Sequence, residues 1–182
     1  MHPKQIIRTS RKISLVLRHK PEAIGISLDE NGWAGVDELL RLMTKSGTPL
    51  TRPELETIVA ENNKKRFRFN DDGTKIRANQ GHSLKVDLQM KAVQPPAVLY
   101  HGTATTAVAS ILTTGLEKRK RQHVHLSHEQ VTATQVGGRH GKPVILTVDA
   151  ARMVTDGYLF YRSDNGVWLT DKVPPAYLSV KF

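Results

Sequence analysis

The segment Gln94-Pro95-Pro96, set in a stretch of weak hydrophobic periodicity from about 84 to 97, constrains this chain more than any other feature. A proline pair removes two backbone donors and fixes two φ angles, so neither a helix interior nor a central strand accepts it. With 182 residues the chain is long enough for one ordinary domain or two small ones, each with a modest core. The prolines therefore mark a division into a first lobe over 1–90 and a second over 97–182.

In the first lobe, Ile13, Val16 and Leu17 share a helix face over residues 10–19, with Thr9 or Ser10 as the expected cap and Pro21 as the stop. An Asn31-Gly32 turn precedes apolar residues at helical spacing from Val36 to Met43. The sequence TRPE at 51–54 reads as a capping box, opening a helix that turns Leu55, Ile58 and Val59 inward. RFRF (66–69), the turn residues Asp71, Asp72 and Gly73, and KIRAN (75–79) read as a β-hairpin. Three helices followed by a hairpin suggest a winged helix.

Beyond the prolines, VLYHG is a strand, TTAVASILTTG a helix ended by Gly115, HVHLS a strand, and Glu129 to Val136 a helix. PVILTVDA, GYLFYR and GVWL supply three further strands. The expected class is α+β, the second lobe being a small, strand-rich mixed unit.

Lys plus Arg total 27 against 17 Asp plus Glu, a formal charge of +10. Such an excess favours a polyanionic partner such as nucleic acid. With no cysteine, disulfides, thiolate metal sites and cysteine nucleophiles are excluded. The opening MHPKQIIRTSRK lacks the apolar stretch of a signal peptide and no later run could span a bilayer, so a cytoplasmic protein with no membrane partner is expected. Neither GxGxxG nor GxxxxGK[ST] occurs, so a nucleotide must bind without those phosphate loops. No HxxxH or HExxH pair appears, and no metal is expected.

Several short segments carry chemistry-bearing residues whose ordinary readings compete with functional ones. Arg18 and His19 end the first helix, where such a pair usually complements the helix dipole. Arg66 and Arg68 alternate with Phe67 and Phe69, as in any amphipathic strand. GGRHG (137–141) offers Arg139 as a planar fork for phosphate oxygens among glycines that let a ligand approach, or else a flexible connection. LYHGT places His101, Gly102 and Thr103 where a strand is expected to run into a helix, so that amides and a hydroxyl would face an anion. His123, His125 and Ser127 share a face of HVHLS. KRKR (118–121) reads as a solvated loop or an RNA contact.

Taken together, SLVLRHKPEAIGISLDENGWAGVDELL, NKKRF, IRANQGHS, LYHGT, HVHLS, VGGRHG and NGVWL, in that order and spacing, resemble the RNA 2′-phosphotransferase family over nearly the whole chain. The resemblance implies a winged-helix, RNA-binding first lobe and an ADP-ribosyltransferase-like second lobe that binds NAD+ as co-substrate. It maps the family's Arg-His-Arg-Arg set onto Arg18, His19, Arg66 and Arg139. His101 and His125 match the two histidines on the NAD side. The glutamate of other ADP-ribosyltransferases appears as Val167, which is the family's own departure. Gly102, Thr103 and Ser127 are expected to hold ADP-ribose, and Gln80, Gly81, His82 and Ser83 to close over the nucleotide.

The implied partner is a tRNA-like RNA bearing a 2′-phosphate, of the kind left at a ligated splice junction, and the protein is expected to be a monomer. Two other readings compete. One is an ADP-ribosyltransferase acting on nucleic-acid terminal phosphates, which would stop after the first chemical step. The other is a non-catalytic winged-helix regulator. Against the latter, the segment RPELETIVAENN carries three glutamates where a recognition helix would meet phosphates.

Overall fold

A computed structural model describes residues 1–62 and 64–181. Asn63, which opens the NKKRF segment, and Phe182 lie outside them. The chain divides into two compact units, the first ending at Gln89 and the second beginning at Met90. Each mixes helices with small antiparallel sheets. No helix among the described residues is long and apolar enough to cross a membrane.

The first unit opens with helix α1 (Pro3–Arg18), seven residues earlier than hydrophobic spacing alone predicts. Thr9 and Ser10 are buried within it and cap nothing. The cap is His2, whose Nδ1 accepts from the Lys4 amide at 3.3 Å, while the Gln5 side chain accepts from the His2 amide at 3.1 Å. Pro3 begins the helix at no cost, because its missing N–H would have no intrahelical partner there.

Strand β1 (Ala34–Gly35) leads into α2 (Val36–Lys45), and α3 (Arg52–Ala60) starts from the capping box formed by Thr51 and Glu54. Strands β2 (Phe67–Phe69) and β3 (Lys75–Ala78) form the hairpin, and β1 adds to the free edge of β3. The core is built from Ile13, Val16 and Leu17 of α1, Leu39 and Met43 of α2, Leu55 and Ile58 of α3, and Phe67 and Ile76 of the hairpin. Burial of each such side chain is worth about 1.5–3 kcal/mol. Val59 packs at the margin of this cluster, only partly buried.

In the second unit, β4 (Val98–Ala104) runs into α4 (Thr105–Thr114), which Gly115 ends with φ +86°. There follow β5 (Leu116–Glu117), β6 (Val124–Leu126), α5 (Gln130–Gly137), a 3-10 turn (Gly138–His140) and β7 (Pro143–Asp149). The helix α6 (Ala150–Thr155) begins on the last alanine of PVILTVDA, with Asp149 as its cap. Then come β8 (Phe160–Arg162), β9 (Trp168–Thr170), β10 (Lys172–Val173) and β11 (Leu178–Lys181).

One sheet has the order β11-β7-β4 and another β6-β9-β8, with β10 and β5 as a separate pair. A two-way backbone bridge between Tyr100 and Ser127, both bonds 2.8 Å, ties β4 to the end of β6. Leu99, Leu146 and Val148 from β4 and β7 meet Ile111, Leu126, Met153, Phe160 and Trp168 in the second core.

Candidate active site

Arg18, His19 and Arg66 belong to the first unit, and Arg139, His101 and His125 to the second. In the first unit, α1 unwinds at its last residues. His19 is the C-cap, with φ −133° and ψ −45°, so it leaves the helical path that would otherwise splay it about 100° from Arg18.

A short segment after β3 holds both ends of the set. The Ser83 amide donates to the Arg18 carbonyl at 3.0 Å, and the Ser83 Oγ lies 2.9 Å from His19 Nδ1. At the other end, the Asn79 amide donates to the Arg66 carbonyl at 2.9 Å and its side-chain amide donates to the Lys65 carbonyl. Four Cα steps cannot reach beyond about 14 Å, so Asn79 and Ser83 keep the Arg66 and Arg18–His19 backbones in one neighbourhood. The Arg66 guanidinium is half-buried and donates to Asn62 Oδ1 at 3.2 Å.

The expectation that Gln80–Ser83 closes over a nucleotide needs correction at His82. His82 is 1% exposed, and neither ring nitrogen has a hydrogen-bond partner among the described residues. Its side chain is sealed into the first unit and cannot touch a ligand there. Burial, with the charges of Arg18, His19 and Arg77 added, pushes its pKa down to about 4. Ser83 meanwhile is engaged with Arg18 and His19. These roles come from long-range contacts, and no local sequence signal marks them.

The second unit corrects another expectation. The strand does run into a helix here, but His101, Gly102 and Thr103 lie within β4, opposite Leu146, Ile145 and Val144 of β7, rather than in the helix's first turn. The helix starts only at Thr105, whose amide and hydroxyl both donate to the Lys142 carbonyl at 3.1 Å. That amide is therefore not offered to an anion. Gly102 serves packing instead: a Cβ there would sit 1.6 Å from the Ala133 carbonyl oxygen of α5. Gly137 answers it from the helix side, where a Cβ would come within 2.8 Å of the Thr103 carbonyl oxygen. Of the GGRHG glycines, only Gly138 has open space beside it, and Gly141 adopts φ +135°, a conformation other residues rarely reach. Arg139 is exposed on the turn between them.

The two NAD-side candidates have their tautomers set by their partners. His101 Nδ1 lies 3.1 Å from the His125 carbonyl, which can only accept, so Nδ1 carries the proton and Nε2 is the acceptor. Burial holds the His101 pKa below its ordinary value; the bond to His125 opposes this and the charges of Arg119 and Arg121 add to it. Conversely, Arg121 Nη1 lies 3.1 Å from His125 Nδ1, and a guanidinium can only donate, which leaves the proton of neutral His125 on Nε2. His101 Nε2 is thus an acceptor, which suits a ribose hydroxyl. Ser127 is half-buried beside β4 through its bridge to Tyr100.

KRKR consequently divides in its use, since Lys118 pairs with Asp171 at 2.7 Å while Arg121 meets His125. Val167 sits half-buried in the loop between β8 and β9, its amide donating to Ser163 Oγ at 3.1 Å. Among the described residues, no group of three or more His, Asp or Glu is placed to hold a metal ion.

The family model for "RNA 2′-phosphotransferase, Tpt1 / KptA family" matches residues 4–172. A protein of Nostoc punctiforme named probable RNA 2′-phosphotransferase is 53% identical over 178 residues, covering 98% of each chain. One of the same name from Agrobacterium fabrum is 56% identical over 172 residues, or 94% of this chain and 92% of its own. A third, from Herpetosiphon aurantiacus, is 49% identical over 181 residues and the whole of both chains.

Proposed function

Since the chain belongs to the RNA 2′-phosphotransferase, Tpt1/KptA, family, we propose that it removes an internal 2′-phosphate from RNA by passing it to NAD+. The family match over residues 4–172 carries this reading. The hold of one short segment on Arg18, His19 and Arg66 supports it. The first unit is read as a winged-helix, RNA-binding lobe, because three helices precede its antiparallel sheet. The second is read as the ADP-ribosyltransferase-like lobe.

In the first step, an oxygen of the RNA 2′-phosphate attacks the ribose carbon that bears nicotinamide, and nicotinamide leaves. A phosphate monoester with a second pKa of about 6 is largely ionised at pH 7, so no strong base is required. A valine at position 167 is compatible with this, since the chain mainly has to position a dianion. In the second step the ribose 2″-hydroxyl loses its proton and bonds phosphorus, and the RNA oxygen departs as the 2′-hydroxyl. The products are nicotinamide, ADP-ribose 1″,2″-cyclic phosphate and RNA with a free 2′-hydroxyl.

Arg18, Arg66 and Arg139 are assigned to the phosphate oxygens, where charge gathers as the second step proceeds. His19 orients or deprotonates the 2″-hydroxyl. His101 and His125, with Thr103 and Ser127 beside them, hold ADP-ribose, and NAD+ supplies the acceptor ribose. The test incubates the protein with NAD+ and an RNA carrying one internal 2′-phosphate, following nicotinamide release and loss of the phosphate. Both are expected, and persistence of the phosphate would overturn the reading. Arg66→Ala should let ADP-ribosylated RNA accumulate; turnover at the wild-type rate would remove Arg66 from the mechanism.

A further inference from the structure

The geometry points to Ser83 as a positioning residue of the second step, holding the His19 ring in the orientation its role there requires. The inference rests on the role proposed above for His19.

His19 has left the helix, with φ −133° and ψ −45°, so helical side-chain rules do not set its ring direction. The residue that meets it is 64 positions away in sequence. Ser83 engages both members of the pair, its amide holding the Arg18 carbonyl at 3.0 Å and its Oγ lying 2.9 Å from His19 Nδ1. An exposed serine that uses backbone and side chain on two consecutive residues fixes position and ring orientation together.

The direction of the side-chain bond follows from the chemistry. To take the 2″-hydroxyl proton at Nε2, neutral His19 must carry its own proton on Nδ1. Nδ1–H then donates to Ser83 Oγ, which keeps a proton for another acceptor. As Nε2 takes the proton, the hydroxyl oxygen bonds phosphorus, the bond from phosphorus to the RNA O2′ breaks, O2′ takes a proton from water, and His19 then returns its own to solvent. The serine hydroxyl accepts from the Nδ1–H of that tautomer and so holds the ring in it. The Ser83 amide bond to Arg18 survives replacement by alanine, so the substitution isolates the side-chain contribution.

Full-length Ser83→Ala, Ser83→Thr and His19→Ala proteins should be compared in single-turnover reactions with NAD+ and 2′-phosphorylated RNA. The His19 tautomer is read by 15N NMR. Wild-type His19 should carry its proton on Nδ1. Ser83→Ala should keep its KM for NAD+ and its first-step rate while the second step slows about ten- to a hundredfold, as a misaligned base implies. ADP-ribosylated RNA should accumulate, and Ser83→Thr should restore the rate.

A wild-type second step in Ser83→Ala, a wild-type proton on Nε2, or failure of threonine to rescue would each overturn the inference. If Ser83→Ala is silent but His19→Ala is slow, the proposed function stands and only the role of Ser83 falls. A wild-type rate in His19→Ala would instead remove the premise.

Discussion

At the scale of single residues, the sealed His82 has the clearest physical consequence. Its folded pKa of about 4 lies below the ordinary histidine value of 6.5. Above about pH 6.5 both folded and unfolded chains hold it neutral and its effect on stability is constant. As pH falls from 6.5 towards 4 the unfolded chain binds the proton first, so stability is lost through that window. The full depression corresponds to about 3 kcal/mol. Urea unfolding of wild type and His82→Gln at pH 7, 5.5 and 4.5 checks this: the variant should lose less stability on acidification, and equal losses would refute the assignment. The residue types of this site were legible in the sequence, but the division of labour within Gln80–Ser83 was not. Whether a histidine touches a ligand or is sealed into a core depends on neighbours such as Gly32, brought in from elsewhere in the chain.

At the scale of elements, hydrophobic spacing located α2, α3, the β2–β3 hairpin and α4 closely, because each has an apolar face at one clear period. It misplaced the start of α1, where the amino-terminal turns are largely exposed and only the cap formed by His2 and Gln5 marks the boundary. It also missed α6, six residues long, and the two-residue strands β5 and β10, which are too short to show a period. The contact between β4 and α5 was equally hidden, since the same glycines read as naturally as a ligand approach. Gly102→Ala tests which use dominates. The added methyl would meet the Ala133 carbonyl of the helix backbone, so destabilisation of about 3 kcal/mol or more is expected, with strand and helix forced apart. A Gly102→Ala protein with wild-type melting temperature would show that the close approach is not required. Gly138→Ala, with open space beside it, should change stability little.

At the scale of the whole molecule, the charge excess of +10 is shared by both units. Residues 1–89 carry 16 basic against 11 acidic side chains and residues 90–182 carry 11 against 6, leaving +5 in each. An RNA-binding surface confined to the first unit would not require the second to be basic as well. Basic groups in the second unit such as Arg119, Lys120 and Arg139 are exposed and open to phosphate. RNA should therefore release counterions on binding, and its affinity should fall steeply with salt. If about four phosphates are engaged, affinity should drop roughly fiftyfold between about 50 and 200 mM salt. For NAD+, the co-substrate proposed above, a single pyrophosphate is engaged, so its KM should move far less over the same range. Measuring both in one protein preparation separates the two ligands. A salt dependence for RNA no steeper than that for NAD+ would mean that the basic excess serves solubility, and that the 2′-phosphate and its immediate neighbours carry recognition alone.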